Sequence, residues 1–136
     1  MAKVEHITRD VMKPLLEPYG LSEAVRTETL LHLAGQTGIT AEHQIVDGGL
    51  KAQAVQAFRN IKAVVELAGG RVENLVHLTW YLAETASSRS FMEDAVDVIA
   101  AKEEVMPGVK PGSTAVRVKA LLMPEILIEI QAVAAL

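Results

Sequence analysis

The stretch KPGSTAVRVKA at residues 110–120, followed by ILIEIQAVA at residues 126–134, decides the fold and gives the first sign of function. In both runs apolar residues recur at every second position, and β-branched residues are frequent. This pattern predicts two strands near 114–120 and 126–134. Glu129 stands between two isoleucines of the second run. A carboxylate buried there without a partner would cost several kcal/mol, so Glu129 either points to solvent from a half-buried sheet or belongs to a site.

The composition fits one globular domain that spans residues 1–136. Of the 136 residues, 50% are hydrophobic and 22% are charged, which is enough apolar sequence for a sizeable core. The chain has no cysteine, which excludes disulfides, thiol nucleophiles and cysteine-ligated zinc. The N-terminus lacks an apolar core of signal-peptide length and no run approaches the ~18 apolar residues of a membrane span, so we expect a cytoplasmic protein without a membrane partner.

The charge balance disfavours nucleic acid as a partner. The formal net charge is -4 and aromatic residues make up 4% of the chain. Binding of RNA or DNA needs a basic surface and, for single strands, a stacking platform. The basic residues are instead spread among acidic ones, which is typical of a solvated surface. The four histidines lack the spacing of metal ligands, so we expect no metal.

The first half of the chain predicts two strands and a long helix. The strands span residues 22–26 and 30–36, with a polar turn between them. Apolar side chains then recur every three or four residues over 55–68, which is the spacing of one helix face. The Gly69-Gly70 pair supplies a left-handed end for this helix.

A third strand is predicted over residues 75–82, where apolar and mixed positions alternate. Its fully apolar face is formed by Val76, Leu78, Trp80 and Leu82. Its other face is formed by Leu75, His77, Thr79 and Tyr81. The strand therefore has one fully apolar face and one mixed face.

A second helix is predicted between this strand and the two C-terminal strands. Ser90 and Glu93 have the spacing of a capping box. Apolar residues continue at helical spacing through Met92 and Ile99, and the helix must end before Pro107. The predicted order is therefore two strands, helix, strand, helix and two strands, which indicates an α/β or α+β domain.

Five local patterns follow one another along the chain. Residues 19–26 look like an opening "GYSxAVR", residues 33–36 like "VSGQ", and residues 54–70 like "QTRQALENIKAVLEAAG". In the tail, residues 111–114 and 128–134 look like "PARTAV" and "VEIEAIA". In this order the patterns resemble the RidA/YjgF family, the reactive intermediate (enamine/imine) deaminases also labelled endoribonuclease L-PSP, over nearly the whole chain.

The resemblance implies a chorismate-mutase-like fold, a mixed β-sheet of the α/β (α+β) class with two helices packed on one face. It also implies a homotrimer whose sites lie between neighbouring subunits. The residues support oligomerisation independently, because both sides of the last strand are substantially apolar. Two helices can cover only one face of the sheet, so the other face needs a partner surface.

The resemblance further implies hydrolysis of a small 2-imino or enamine acid to the 2-oxo acid and ammonia, without a cofactor. In the family an arginine pairs with the substrate carboxylate, and a glutamate acts as general base towards water. Backbone groups near the "SG" motif position the imine nitrogen. In this chain Glu129 matches the glutamate and Gly35 matches the glycine of that motif.

Other positions of this chain depart from the family pattern. Ala34 replaces the serine of the "SG" motif, and Leu21 falls where the tyrosine is expected. Ser113, followed by Thr114, stands where the arginine is expected. Tyr19 takes the tyrosine's role only if the local alignment shifts by two residues. These positions are predicted to contact the substrate together with the glycine of the motif.

Arg117 is a further candidate substrate contact, but it is a poor replacement for the missing arginine. It lies four residues from Ser113, roughly 13 Å along a strand at about 3.3 Å per residue. Arg26, Arg71, Arg89 or a residue of a neighbouring subunit stay open as substitutes. Without one, an anionic imino acid loses a contact worth about 1.5–3 kcal/mol, so we expect weak or no activity on 2-iminobutanoate.

Three functions stay open from the sequence. The favoured one is a RidA-like hydrolase retuned to a different imine, enamine or related small molecule, with Glu129 as the base. The second is a catalytically silent trimer that binds a small metabolite or a protein partner in the same cleft. The third, a ribonuclease or translation inhibitor, is disfavoured by the charge. Glu129 alone also fits a structural carboxylate paired with Arg117 or Lys119 on neighbouring strands.

Overall fold

The computed structural model describes residues 2–136, and the strands in this range form one mixed sheet. The strands are β1 (Glu5–Ile7), β2 (Ala24–Arg26), β3 (Leu30–Gln36), β4 (Leu75–Ala83), β5 (Gly112–Val118) and β6 (Ile128–Ala135). The α-helices are α1 (Lys13–Leu16), α2 (Gly49–Leu67) and α3 (Phe91–Val105). The mixed α+β fold predicted from the sequence is confirmed.

The strand order places the end of the chain at the centre of the sheet. The order is β1-β2-β3-β6-β4-β5, so β6 lies between β3 and β4. β5 runs parallel to β4, and every other neighbouring pair is antiparallel. A parallel pair needs a long crossover connection, which α3 supplies between β4 and β5.

One face of the sheet forms the hydrophobic core with α2 and α3. The residues that β6 buries there are Ile128, Ile130, Ala132 and Ala134. The largest apolar residues of α2 that are fully buried are Phe58, Ile61, Val64 and Val65. Burial of each large apolar side chain contributes about 1.5–3 kcal/mol, so this layer supplies most of the favourable free energy of folding.

The ends of the two long helices follow the sequence signals. Gly69, just after α2, has a φ of 89°, and its N–H donates to the carbonyl of Glu66. At the start of α3 the Ser90 hydroxyl accepts from the N–H of Glu93, and the Glu93 carboxylate accepts from the N–H of Ser90. Both the left-handed helix end and the capping box are therefore confirmed.

Two short elements near the N-terminus make the predicted order incomplete. β1 pairs with β2 in antiparallel register, with Glu5 opposite Arg26 and Ile7 opposite Ala24. A strand of three residues is too short to show an alternating pattern. α1 spans four residues, which is too short for a helical period to appear in the sequence.

Val76 does not belong to the buried face of β4, and that part of the prediction is wrong. The register passes from Leu75 opposite Ala134 to His77 opposite Val133, so β4 contains one extra residue at this point. Val76 is 46% exposed as a result. Leu78, Trp80 and Leu82, the other residues of the predicted apolar face, are buried. They all follow the bulge, and beyond it the strand alternates regularly.

The buried face of α3 does not include two of the residues whose spacing indicated the helix. Met92 and Ile99 are 72% and 49% exposed. The helix instead buries Asp94, Val98 and Ala101. Because the charged Asp94 is one of the buried residues, the hydrophobic pattern of the sequence does not show which face of α3 is buried.

No helix within residues 2–136 buries the second face of the sheet. Its side chains are exposed or half-buried. We call this surface the open face, and the register of the strands assigns to it His6, Val25, His32, Gly35, His77, Thr79, Tyr81, Thr114, Val116, Glu129, Gln131 and Val133. Within the described residues the helices therefore cover one side of the sheet only, as expected for a chain with two long helices.

A buried ion cluster fixes α3 against β5. The fully buried Asp94 pairs with Arg117 at 3.0 Å and with Arg89 at 3.1 Å, and Ser87 Oγ donates to it at 2.6 Å. Burial raises the pKa of Asp94, but the hydrogen bonds from Ser87, Arg117 and Arg89 outweigh it and lower the pKa below the usual carboxyl range. Arg117 also lies 5.2 Å from the centroid of the Phe91 ring.

We expect Asp94→Ala to lower the free energy of unfolding by about 2–4 kcal/mol, because it leaves a partly buried arginine without its counter-charge. Asp97→Ala is the matched control, since Asp97 pairs with Arg89 at the surface, and should cost less than about 1 kcal/mol. Urea unfolding followed by circular dichroism measures both. Equal effects of the two substitutions would show that the buried cluster does not hold α3 in place.

Candidate functional site around Glu129

The carboxyl group of Glu129 lies directly over Gly35 on the open face. β6 and β3 are neighbours in the sheet. A Cβ atom built on Gly35 would lie 2.2 Å from Oε1 and 2.7 Å from Cδ of Glu129. Any residue other than glycine would therefore displace the carboxyl group. The fold thus brings together the two residues that match the family's glutamate and glycine.

A bulge in β3 shapes the surface beside this carboxyl group. The register passes from Leu33 opposite Ala132 to Gln36 opposite Ile130, so β3 has one residue more than β6 in this interval. The extra length falls at residues 34–35, both of which are exposed. Bulges interrupt the ladder and re-aim side chains, and they are frequent next to active sites.

Glu129 is half-buried, and burial raises the pKa of its carboxyl group above the usual value. Within residues 2–136 the carboxyl group takes part in no ion pair. The structural pairing considered from the sequence is not formed, because Arg117 pairs with Asp94 and Lys119 pairs with Glu84. A desolvated carboxyl group without a counter-charge is suited to accept and return a proton.

Ser113 and Arg117 lie on the helix-facing side of β5, whereas Glu129 lies on the open face. Ser113 is opposite Leu78 and Arg117 is opposite Leu82, and both leucines are buried in the core. Within one chain, the structure therefore does not bring these two residues to Glu129. β5 is an edge strand and Ser113 is exposed on it, so Ser113 is accessible to another molecule.

The remaining predicted contacts fall into two groups. Thr114 shares the open face with Glu129 and is paired in register with β4. The bulge at residues 34–35 contributes both Ala34 and the glycine to the same surface. Leu21 and Tyr19 lie in the segment before β2 and are 56% and 77% exposed.

Two polar residues beside Glu129 were not singled out from the sequence. Tyr81 lies directly opposite Glu129 on β4. Its hydroxyl donates to Oε1 of Gln131 at 3.3 Å. Tyr81 could have been found from the sequence because it lies on the mixed side of the alternating β4. Gln131 could have been found because residues two apart on a strand share a face, and it is two residues from Glu129.

The histidines of the open face do not form a metal centre. His6, His32 and His77 lie along one row of the sheet, separated by Val25 and Val133. Within residues 2–136 there is no group of three or more potential ligand side chains that could hold a metal ion. In the same part of the chain, no helix is long and apolar enough to cross a membrane.

The chain is an α+β protein with a mixed sheet covered by helices on one face. On the other face it carries a glutamate beside a bulged glycine. The family model for endoribonuclease L-PSP matches residues 14–136. The chain belongs to this family, which is the RidA/YjgF family indicated by its sequence motifs.

The chain is similar to three further proteins of known sequence or structure. A RutC family protein from Aquifex aeolicus is 37% identical over 117 residues, covering 85% of this chain and 88% of the relative. A 2-iminobutanoate/2-iminopropanoate deaminase from Dermatophagoides farinae is 34% identical over 77 residues, covering 54% of this chain and 60% of the relative. The crystal structure of a Pseudomonas aeruginosa protein of unknown function superposes with a TM-score of 0.80 at 31% identity, covering 99% of this chain and 94% of that one.

We expect Glu129→Gln to leave the protein at least as stable as the wild type at neutral pH. Folding raises the pKa of Glu129, so the native state binds more protons than the unfolded state between the two pKa values. The wild type therefore loses stability as the pH rises from the ordinary carboxyl pKa to the raised one, and the uncharged amide removes this loss.

Urea unfolding at a series of pH values from mildly acidic to neutral measures the effect. Glu125→Gln is the control, because Glu125 is exposed in the segment before β6. A Glu129→Gln variant that is less stable than the wild type at neutral pH would contradict the desolvation of this carboxyl group.

Proposed function

We propose that this protein hydrolyses the carbon–nitrogen double bond of a small imine or enamine, with Glu129 as general base. The observation that carries the proposal is the half-buried carboxyl group on Gly35, whose pKa is raised by burial and which has no counter-charge within residues 2–136. Membership of the family and the deaminase names of several relatives support it. Ser113 at the position of the expected arginine supports a substrate other than 2-iminobutanoate.

The proposed reaction needs only water and one carboxylate. Glu129 accepts a proton from water as the water oxygen bonds to the carbon of the protonated imine, and the π electron pair moves to nitrogen. Glu129 then returns the proton to the amino group of this carbinolamine. The C–N bond breaks with its electron pair leaving as ammonia, and the hydroxyl proton is released as the carbonyl forms. No cofactor takes part.

We also propose that the protein works as a homotrimer, with a site in each cleft between subunits. The open face offers the surface for assembly, because Val25, Val116 and Val133 lie on it without a covering helix in the described chain. In this arrangement the exposed edge of β5, with Ser113, reaches the neighbouring subunit's cleft. The substrate then lies between that edge and the Glu129 carboxyl group.

A catalytically silent trimer that binds a small metabolite or a protein partner is the second candidate. It is favoured by Ser113, because the serine lacks the bidentate charge that an arginine offers to a carboxylate. The family label also names an endoribonuclease. A net charge of -4 disfavours that activity, since RNA binding requires positive charge.

We expect Glu129→Gln to lower imine hydrolysis by 10²–10⁴-fold, the usual contribution of a general base. The substrates are imines generated in place by a flavin-dependent oxidase, and ammonia release is the readout. Glu125→Gln is the control and should retain wild-type turnover. If Glu129→Gln turns over as fast as the wild type, the proposed mechanism is wrong, and if the wild type is inactive on every imine tried, the silent trimer is favoured.

We expect the wild type to have a mass in solution of three times the 14.7 kDa chain. Val133→Asp should shift it to the monomer, because assembly would bury an unpaired charge on the open face. Ile99→Asp is the control, since Ile99 is exposed on the outer side of α3. Light scattering coupled to size exclusion measures both, with circular dichroism to verify folding. A monomeric wild type would contradict the trimer.

A further inference from the structure

The open face carries no lysine or arginine at the positions that define it within residues 2–136. Its ionisable side chains are His6, His32, His77, Tyr81 and Glu129. The histidines lie along one row of the sheet, four residues away from Glu129 along β6, which corresponds to about 13 Å. At the strand positions of the open face in the described chain, Glu129 therefore has no cationic lysine or arginine as a neighbour.

Within one chain, the arginines left open as substitutes for the missing one are engaged or distant. Arg26 donates to a carbonyl at the end of α2 at 2.9 Å. Arg89 pairs with two aspartates of α3. Arg71 precedes the start of β4, whereas Tyr81, opposite Glu129, lies near its end. The strand between them spans about 20 Å, which is beyond the reach of an arginine side chain.

An anionic substrate is poorly matched to this site. Its carboxylate would add a second negative charge beside Glu129, without a cation of the same chain to balance it. A like charge at short range favours the protonated form of a carboxyl group. Glu129 would then be less available as a base, so a carboxylate on the substrate would oppose both binding and proton transfer.

A cationic substrate supplies what Glu129 lacks. A protonated imine carries its positive charge on the atoms that must lie next to the base. Its charge would stabilise the desolvated carboxylate in the way a salt bridge does. Beside the carboxyl group, Gln131 accepts from the Tyr81 hydroxyl through its amide oxygen. Its amide nitrogen makes no hydrogen bond within residues 2–136 and can donate to a neutral carbonyl oxygen.

We propose that the substrate is a protonated imine, or the enamine in equilibrium with it, that has no carboxylate. The inference rests on the proposed hydrolysis at Glu129 and specifies its substrate class. In the simplest case an aldimine R–CH=NH₂⁺ and water give the aldehyde R–CHO and NH₄⁺. The new C–O bond and the broken C–N bond are those of the reaction above, and no oxidant or reductant is needed.

Binding is tested with two stable probes of the same shape and opposite charge, acetamidinium and acetate, by calorimetry on the intact protein. We expect acetamidinium to bind at least tenfold more tightly than acetate. Glu129→Gln should weaken acetamidinium at least tenfold, and Glu125→Gln should leave it unchanged. Tighter binding of acetate, or acetamidinium binding that does not depend on Glu129, would overturn the inference.

Turnover is tested with a second matched pair, 2-iminopropanamide and 2-iminopropanoate, which are formed from pyruvamide and pyruvate in concentrated ammonia and then diluted, so that hydrolysis is the net reaction. We expect kcat/KM to favour the amide at least tenfold. A preference for 2-iminopropanoate that Glu129→Gln abolishes would overturn the carboxylate-free substrate and leave the hydrolase in place. Hydrolysis of both imines at wild-type rate by Glu129→Gln would overturn the role of Glu129 as the base, and with it the substrate class inferred from that role.

Discussion

The two-residue period of β6 is the constraint on which the rest of the structure depends. β6 lies at the centre of the sheet and must bury Ile128 and Ile130 against the helices. Successive side chains of a strand point to opposite faces, so Glu129 is directed to the open face. A register slip of one residue would bury the charged Glu129 in the core and expose Ile128 and Ile130. The slip would therefore cost both apolar burial and the desolvation of a carboxylate. The same apolar positions therefore fix both the sheet and the location of the carboxyl group.

The regular parts of the fold followed from local signals in the sequence. The capping box at Ser90, the helix end at Gly69 and the strand alternation each depend on a few neighbouring residues, so they could be predicted. The bulge at Val76 and the inward turn of Asp94 could not. Each is set by a partner far away in the chain, and hydrophobicity alone carries no trace of it.

In the candidate site, too, the residues could be predicted from sequence motifs but their contacts could not. Glu129 and Gly35 were matched from the sequence, but their contact across β3 and β6 depends on a bulge that appears only in the fold. Arg117 was a candidate substrate contact from the sequence, whereas in the structure it pairs with Asp94 on the other face of the sheet. The raised pKa of Glu129 is likewise a property of its burial, which no residue pattern specifies.

Because β5 is an edge strand, the position of Arg117 bears on how readily the protein aggregates in solution. An edge strand offers unpaired N–H and C=O groups to any other strand, which is the usual start of aggregation. Arg117 points inward from this edge and is held by a buried aspartate, so a foreign strand added alongside would have to cover a charged side chain. The ion cluster that secures α3 thereby protects the sheet from uncontrolled growth.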